Sequence, residues 1–537
     1  MVQCISSYEK SLEIISLGVT LVFEHAFCCL DAISFYPSYL LTILMLKHHS
    51  SRPDKKQATL SSFPSYTYMV FGTALSVCLL LSGCATKAPP SQADKLQVEA
   101  PTGFDSEHDS APFWNDGWTQ DIEDPILVKI IEEALEHNYN LVVAEGRLEA
   151  AMATAVIQGS GKYPNLSVGT NGNRQQRNNA GGVVITSNRT TNYGLTGRVN
   201  WELDIWGQVR DQANAGYADY QASVEDYRAA RFSIAAQTAR AWYRAISSEL
   251  QLGVAKESLD TFESNLQIVE ENFKRGIARA LDLHLIRANV ANSRADYEGR
   301  LRTRAGDIRA LEILLGRYPA EEIKVAKEFP AIKQSIPVGL PDDLLNRRPD
   351  IRAAERRLAA DSLGITIAKK AMLPGITLNG SYGTSSREFD LLLDDRFKVW
   401  SYGYNVNLPI FQGGRLTAAK DRVEAQYKQS LANYAQTVLG AFEEVESLLF
   451  EEDSLLRDED ALRETVKEYN AAVDLAWEQY GRGLVDIITV LDSQRRAFNS
   501  MRVLIVISNQ RIQNRIGLYQ ALGGGFAADD DESLTIK

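Results

Sequence analysis

The stretch WELDIWGQVR, residues 201–210, decides the fold because it lies where the pattern of a strand changes to that of a helix. Trp201 and Leu203 alternate with polar neighbours, which is typical of a strand with one apolar face. Beyond the stretch, apolar residues recur at steps of three and four, as in an amphipathic helix. The stretch therefore predicts a strand that leads into a helix.

A second junction of this kind is LPIFQGGR, residues 408–415, which matches LDIWGQVR at 203–210. Other stretches match in the same order: AEGRL (144–148) with AERRL (354–358), and ENFKRG (271–276) with EQYGRG (478–483). Self-similarity at one long spacing is the signature of repeated structural units. We predict two tandem structural repeats, residues 121–325 and 338–526.

Each repeat is predicted to begin with a helical stretch, at 125–160 and 341–372, and to continue with two strands. The apolar members of the alternation are Leu166, Val168, Tyr193, Leu195, Val199, Trp201 and Leu203 in the first repeat, and Ile376, Leu378, Tyr382, Trp400, Tyr402, Tyr404, Val406 and Leu408 in the second. Polar loops are predicted near 173–190 and 384–397. Strands of about ten residues with one apolar and one polar face suit a membrane barrel.

The rest of each repeat is predicted to be helical, because no proline occurs between Asn165 and Tyr318 or after Pro409. Heptad-like spacing is typical of coiled-coil packing, and it is shown by Phe232, Ala235, Ala239, Trp242, Ile246 and Leu250, and by Tyr427, Leu431, Tyr434, Val438, Ala441, Val445 and Leu448. A helix from 208 to about 274 would be roughly 100 Å long. Such a helix suits a rod or a tube, with breaks at 275–283 and 482–492 and second helices that return to Gly316 and Gly523.

Composition and cysteine placement exclude several classes of protein. The chain has 537 residues and a formal charge of −12, which argues against a nucleic-acid binder. No cysteine follows Cys84, so thiolate metal sites and cysteine nucleophiles are excluded from the main body. His108, His137 and His284 show no metal-like spacing. We predict no catalytic residues, no metal and no cofactor, and hence no enzyme.

The segment LLLSGCATKAPP, residues 79–90, resembles the cleavage site of a bacterial lipoprotein signal, with LSGC at residues 81–84. Residues 69–83 form the apolar signal-peptide region, and residues 84–120 form the lipidated N-terminus and an extended linker. Cys84 would carry an N-acyl group (palmitate) and S-diacylglycerol. The alternative, a buried core cysteine in an apolar helix, fits the flanks less well. Ala85 follows the cysteine, where Asp would mark inner-membrane retention, so the outer membrane is favoured.

Residues 1–68 fit this arrangement poorly, since a signal peptide does not begin so far before its cleavage site. We interpret them as a spurious extension followed by a basic segment, with Met45 or Met69 as the true start. An additional membrane segment is the alternative. At the other end, residues 527–537 form an acidic tail.

Four strands cannot close a barrel around a lumen, because about eight are needed. Lipid also tolerates no unpaired strand edge. The chain must therefore associate with other copies, so that several chains share one barrel and their helices continue it as a tube.

The chain resembles the outer-membrane efflux protein family (TolC-like outer-membrane factors), in its NodT-type lipoprotein branch, over about residues 84–526. The motifs that carry the resemblance are WELDIWGQVR, LPIFQGGR, RRPDI (347–351), VDIITVLDSQRRAF (485–498) and ALGGGF (521–526). The resemblance implies a mixed α and β membrane protein. It would be a homotrimer with a 12-stranded transmembrane β-barrel, four strands from each chain, continued by a long periplasmic α-helical barrel.

The function implied by the resemblance is the outer-membrane exit duct of a tripartite efflux pump. A periplasmic adaptor (membrane fusion protein) and an inner-membrane transporter would be its partners, and drugs, toxic solutes or metal ions its substrates. A protein-secretion duct of the same fold remains an alternative. So does a lipid-anchored periplasmic coiled-coil scaffold, although a scaffold has no reason to carry the strands.

The resemblance also places a gate at the periplasmic tip, where the helices turn. Asp492 and Arg495 match the family's tip positions, Ile488 lies one turn before Asp492, and Asp486 is a weaker candidate. Three copies of Asp492 around an aperture would repel one another unless arginines pair with them. The alternative is that Asp492 and Arg495 are a solvated i, i+3 pair near a helix start.

Overall fold

The structure, a computed structural model, describes residue 122 and residues 124–181, 184–332 and 341–524. The predictions on Cys84, the signal segment 69–83, the linker, the N-terminal extension and the acidic tail lie outside the described residues. Eight α-helices are described: α1 (Pro125–His137), α2 (Tyr139–Gly159), α3 (Gln208–Lys274), α4 (Ala280–Leu314), α5 (Pro341–Arg347), α6 (Pro349–Lys370), α7 (Arg415–Gly481) and α8 (Ile487–Ala521).

The four predicted strands are confirmed: β1 (Asn165–Gly181), β2 (Val184–Leu203), β3 (Gly375–Ser386) and β4 (Lys398–Asn407). They form one antiparallel sheet in the order β1-β2-β3-β4. The pairing of β2 with β3 joins the two halves of the chain, with Trp201 opposite Leu378. Leu378 in turn lies opposite Tyr404, so the predicted apolar residues share one face of the sheet.

The predicted loop at 173–190 is wrong, because most of it is strand. β1 and β2 stay paired from Asn173 opposite Asn192 to Gly181 opposite Val184. Asn, Gln, Arg and Thr occupy both faces of this part, so no apolar alternation reveals it in the sequence. The loop predicted at 384–397 begins after Ser386 and contains two short 3₁₀ turns, Phe389–Leu391 and Asp395–Phe397.

The long helices agree with the sequence, whereas the helical stretches before the strands are each broken in two. α3 spans Gln208–Lys274 as predicted, and α7 has the same length, 67 residues. The first predicted stretch breaks at Asn138, whose Oδ1 accepts the backbone N–H of Asn140 at 2.9 Å and caps α2. The second breaks at Arg348, because the residue before a proline is disfavoured in a helix.

Glycines with positive φ make the turn from strand to helix. Gly207 (φ 75°) precedes α3, and Gly414 (φ 80°) precedes α7, where Gly413 (φ 57°) is also left-handed. Residues other than glycine adopt this region at a cost. Gly413 and Gly414 therefore allow the backbone to turn from β4 into α7.

The helices beside the sheet follow the order of the strands. α2 leads into β1, β2 leads into α3, α6 leads into β3 and β4 leads into α7. α2 packs on α3, α3 on α6 and α6 on α7. Ion pairs join α3 to α6 across the two halves: Lys370 Nζ to Asp211 at 2.6 Å, Arg352 to Glu225 at 2.8 Å, and Arg357 to Asp226.

The largest apolar core lies where α1, α3, α7 and α8 meet. Several of the coiled-coil positions predicted from the heptads are buried there, among them Ala239, Trp242, Ile246 and Val445. Asp350 lies in the first turn of α6, where its carboxylate accepts the N–H of Ile351 and pairs with Arg348. Among the described residues, no helix has an apolar stretch long enough to cross a membrane.

Asp124 ties the first helix to this core. Its Oδ1 accepts the N–H groups of Ile126 and Leu127 at the start of α1, while Oδ2 accepts the buried Trp242 Nε1–H at 2.8 Å and the Tyr243 hydroxyl at 3.3 Å. Burial and the nearby Asp124 carboxylate raise the pKa of Tyr243 far above its ordinary value, so this phenol stays a donor.

We expect Asp124→Ala to lower the free energy of unfolding by about 2–3 kcal/mol, because it removes a helix cap and leaves two buried donors unsatisfied. The denaturation midpoint of the purified protein checks this. Asp124→Asn keeps an acceptor oxygen and should recover part of the loss. Equal stability of the alanine variant and the wild type would contradict the assignment.

Candidate functional site: the helical tip

The two turns that join α3 to α4 and α7 to α8 form the tip, which we define as residues 275–286 and 482–496. α3 starts at the sheet, so its 67 residues place the tip roughly 100 Å away along the helix. Gly276 (φ 77°) and Gly483 (φ 73°) end the long helices. The N–H groups of Ile277 and Leu484 return to helix carbonyls at 2.8 and 2.9 Å, which closes each helix end in the same way.

A separate apolar core fixes the four helices near the tip. Its buried members are Phe262 and Val269 of α3, Leu283, Ile286 and Val290 of α4, Ala476 of α7, and Ile487, Val490, Leu491 and Phe498 of α8. The rings of Phe262 and Phe498 meet edge to face at 6.2 Å. Inside this core, Asn265 Nδ2 donates to Gln494 Oε1 at 2.8 Å, which joins α3 directly to α8.

Arg279 connects the two turns. Its backbone N–H and its Nε both donate to the buried Asp282 carboxylate at 3.1 Å. Its Nη2 also donates to Asp486 Oδ2 at 3.1 Å, across the two halves of the chain. These hydrogen bonds, first with Asp282 and then with Asp486, raise the pKa of Arg279. Asp486 occupies the cap position of α8, as Arg279 does for α4. The Arg279 guanidinium therefore binds a carboxylate at the start of both helices.

Asp492 is held by two arginines of its own helix. Arg495 Nη2 donates to Oδ1 at 2.5 Å, and Arg496 Nε donates to Oδ2 at 2.7 Å. Hydrogen bonds from Arg496 and Arg495 lower the pKa of Asp492. The i, i+3 pair that the sequence suggested is therefore present within one helix, and a second arginine adds to it.

The outside of the tip carries apolar side chains in matching positions of the two turns. Ile277 and Leu281 lie four residues apart in the first turn, as do Leu484 and Ile488 in the second, and these four are between 40% and 71% exposed. Ile488 precedes Asp492 by one helical turn, as predicted. Each turn therefore presents two exposed apolar side chains next to charged groups, one in the turn itself and one in the first turn of the following helix, and we call each such pair an apolar ridge.

Sequence reasoning identified Asp486, Ile488, Asp492 and Arg495, and the structure places all four at the start of α8. It missed Arg279, Asp282 and Arg496. One signal was available for Arg279, because it occupies the position in the first turn that Asp486 occupies in the second. The described residues contain no cluster of His, Cys, Asp or Glu suited to a metal ion.

Above the tip, α7 and α8 share a buried network of charges. Arg511 Nη1 donates to Glu459 at 2.9 Å and its Nε to Glu452 at 3.3 Å, and Arg515 Nη1 also donates to Glu452 at 3.3 Å. Burial alone would raise the pKa of Glu459, but hydrogen bonds from Arg511, Ser508 and Arg463 lower it overall. Buried charges with several hydrogen bonds fix one register between two helices.

Comparison with known proteins gives consistent matches. The family described as outer membrane efflux protein matches residues 130–317 and 340–524. Outer membrane protein OprJ of Pseudomonas aeruginosa is 32% identical over 471 residues, which cover 87% of this chain and 98% of OprJ. The toluene efflux pump outer membrane protein TtgF of Pseudomonas putida is 29% identical over 475 residues, which cover 88% of this chain and 99% of TtgF.

A solved structure agrees with the sequence matches. The crystal structure of a membrane protein from Pseudomonas aeruginosa superposes with a TM-score of 0.75 at 32% identity, and the match covers 84% of this chain and 100% of that one.

Proposed function

Because the chain belongs to the outer membrane efflux protein family, we propose that it is the exit duct of a tripartite efflux pump. Three copies would form one pore that carries drugs, toxic solutes or metal ions out of the cell. The observation that carries the proposal is a four-stranded sheet with one apolar face, whose strands continue into helices of 67 residues. A periplasmic adaptor and an inner-membrane transporter are the proposed partners.

The open edges of the sheet support a shared barrel. β1 and β4 lie at the ends of the strand order, so each has one row of backbone groups without a strand partner in the described part of this chain. Lipid cannot hydrogen-bond such groups, which favours pairing of β1 with β4 of the next copy. Three copies give twelve strands, enough to enclose a lumen.

The helix at the same flank supports this arrangement. α2 continues β1, and it carries exposed Val142, Val143, Met152, Val156 and Ile157. An apolar stripe of this size on a helix is usually covered by a partner. In the proposed trimer it would pack on α7 of the next copy, since α7 continues β4.

We expect electron microscopy of the detergent-purified protein to show a hollow threefold particle that is longer than a bilayer is thick. Edge closure and the length of α3 and α7 require this shape. A matched preparation of Val156→Glu/Ile157→Glu should dissociate into smaller particles, because charges would face the neighbouring copy. A solid rod, or a monomer of the wild type, would instead support the coiled-coil scaffold.

We also infer that the tip closes the duct at its periplasmic end. The ring formed by three copies of Ile488 would narrow the aperture, and the Asp492 carboxylates would line it. Because Asp492 is paired with Arg495 and Arg496 of its own chain, the three carboxylates need not repel one another. Arg279 would hold α8 closed through Asp486.

The ion pairs and the apolar contacts of the tip differ in how much they would stabilise its closed arrangement. The Arg279–Asp486 and Asp492–Arg495 pairs are largely exposed, and exposed ion pairs contribute little to stability. The side chains of Val490 and Leu491 are buried, and each such side chain contributes about 1.5–3 kcal/mol when it leaves water. The apolar core would therefore hold the tip together, and the ion pairs would adjust how readily it opens.

Asp492→Ala/Arg495→Ala is expected to raise the closed-state conductance in planar bilayers by about two- to fivefold, since exposed pairs have modest effects. Asp486→Ala should act in the same direction, because it releases Arg279. The matched control is Glu464→Ala/Lys467→Ala, which removes an exposed i, i+3 pair of α7 outside the tip. If the tip variants conduct like the control, the gate is located elsewhere.

The exposed apolar ridges of the tip support a docking role. Ile277 and Leu484 have the largest exposed fractions of the four ridge side chains. Three chains would present six such ridges in a ring, and exposed apolar surface of this kind is typical of a protein–protein contact site. The proposed adaptor contact would then lie beside the charged groups that would control opening.

A lipid on Cys84 is proposed to anchor the N-terminus in the outer membrane, as N-acyl and S-diacylglycerol groups. Incorporation of labelled palmitate into the protein should be lost in Cys84→Ala. Cys78→Ala is the matched control, because it removes a cysteine of the signal region and leaves the LSGC site intact. Equal labelling of both variants would contradict the anchor.

A further inference from the structure

The hairpin formed by β1 and β2 extends well beyond the rest of the sheet. The pairing of β2 with β3 ends at Tyr193 opposite Ser386. β1 and β2 continue from Asn173 opposite Asn192 to Gly181 opposite Val184. In the proposed duct this extension lies on the side of the membrane away from the helices, which is the cell exterior.

The pairing register of β1 and β2 shows which side chains of the hairpin share a face of the sheet. Leu166 and Val168 of β1 lie opposite Val199 and Gly197 of β2, and they share the apolar face of the sheet with Leu195 and Trp201. Counting along the same face, Arg174 lies opposite Thr191, and Arg189 lies opposite Gln176. Both arginines therefore belong to the face that would contact lipid. Arg177 lies opposite Asn188, on the other face.

The position of Arg174 and Arg189 relative to the membrane can be estimated from the length of β2. Leu203 to Tyr193 spans about 33 Å along the strand, or about 25 Å across the membrane at a tilt of about 40°, which equals the apolar band of such barrels. Arg174 and Arg189 lie about 5 and 10 Å beyond Tyr193 on the same scale. The headgroups of the outer leaflet occupy this level.

The arginines in the extended part of the hairpin have no acidic residue nearby in the sequence to pair with. From Asn165 to Trp201 the chain contains four arginines and no acidic residue. Arg189 Nε donates to Gln176 Oε1 at 2.8 Å, which holds its guanidinium at the surface. In the neighbouring loop, Asp394 pairs with Arg396, and Asp395 pairs with Lys398. Within the described residues, no carboxylate forms an ion pair with Arg174 or Arg189.

We propose that Arg174 and Arg189 bind the phosphate groups of outer-leaflet lipids. Both side chains are exposed on the lipid-facing side, and a guanidinium matches the oxygens of a phosphate with two parallel hydrogen bonds. Three chains would place six arginines around the barrel. The inference rests on the proposed function, because it needs the apolar face of the sheet to face the membrane.

The test uses the full-length protein in detergent, titrated with diphosphoryl lipid A and with the same lipid after removal of its phosphates. The wild type should retain the phosphorylated lipid at least about tenfold better, and added salt should reduce the difference. Arg174→Gln/Arg189→Gln should lose this preference. Arg177→Gln is the matched control, since it removes one arginine from the opposite face of the same hairpin, and it should bind like the wild type.

Equal retention of the two lipids by the wild type, or an unchanged preference in Arg174→Gln/Arg189→Gln, would overturn the inference. So would an equal loss in Arg177→Gln, because charge alone and not the outer face would then determine binding. Single-channel conductance of the wild type in planar bilayers tests the duct separately. A conducting protein without the lipid preference would refute this inference and leave the proposed function standing.

Discussion

The constraint on which the rest of the described structure depends is the pairing of backbone groups along four strands. β2 and β3 belong to different halves of the chain, and their pairing aligns the halves side by side. Because each strand runs directly into a helix or out of one, the sheet also sets the order of the helices, with α3 beside α6. The ion pairs of that seam, from Lys370–Asp211 to Arg352–Glu225, then follow from the strand register.

The far end of the molecule depends on a different kind of contact. At the tip the two halves meet through apolar side chains of α3, α4 and α8, through the buried amides of Asn265 and Gln494, and through Arg279. Burial of apolar surface is strong but not directional, while the amide and ion-pair contacts are weak and specific. A junction built in this way can have one closed arrangement and still separate when a partner supplies a competing surface.

Much of this organisation could be predicted from the sequence, because similar motifs occur in the same order in both halves of the chain. The heptads around Trp242 and Val445 have a local physical signature in the spacing of their apolar residues, and the structure confirms them. The extension of the β1–β2 hairpin could not be predicted, since polar residues on both faces leave no period of two. Arg279 was missed because its bond to Asp486 joins positions 207 residues apart, and only folding brings them together.

The two helical hairpins, α3–α4 and α7–α8, are alike in length and differ in the ion pairs that join their helices. This difference indicates which pair of helices would stay together in the proposed opening. Between α3 and α4 the ion pairs nearest the tip are exposed, Arg294–Glu263 at 2.6 Å and Arg287–Glu270 at 2.8 Å, and the Arg304–Glu249 pair farther along is only partly buried. Between α7 and α8, Glu452 and Glu459 are buried with Arg511. Separating a buried pair leaves an uncompensated charge, which is far more costly than exposing a surface pair. If the tip opens as proposed, α7 and α8 should therefore keep their register, so that a displacement of α8 at Ile488 and Asp492 would carry α7 with it.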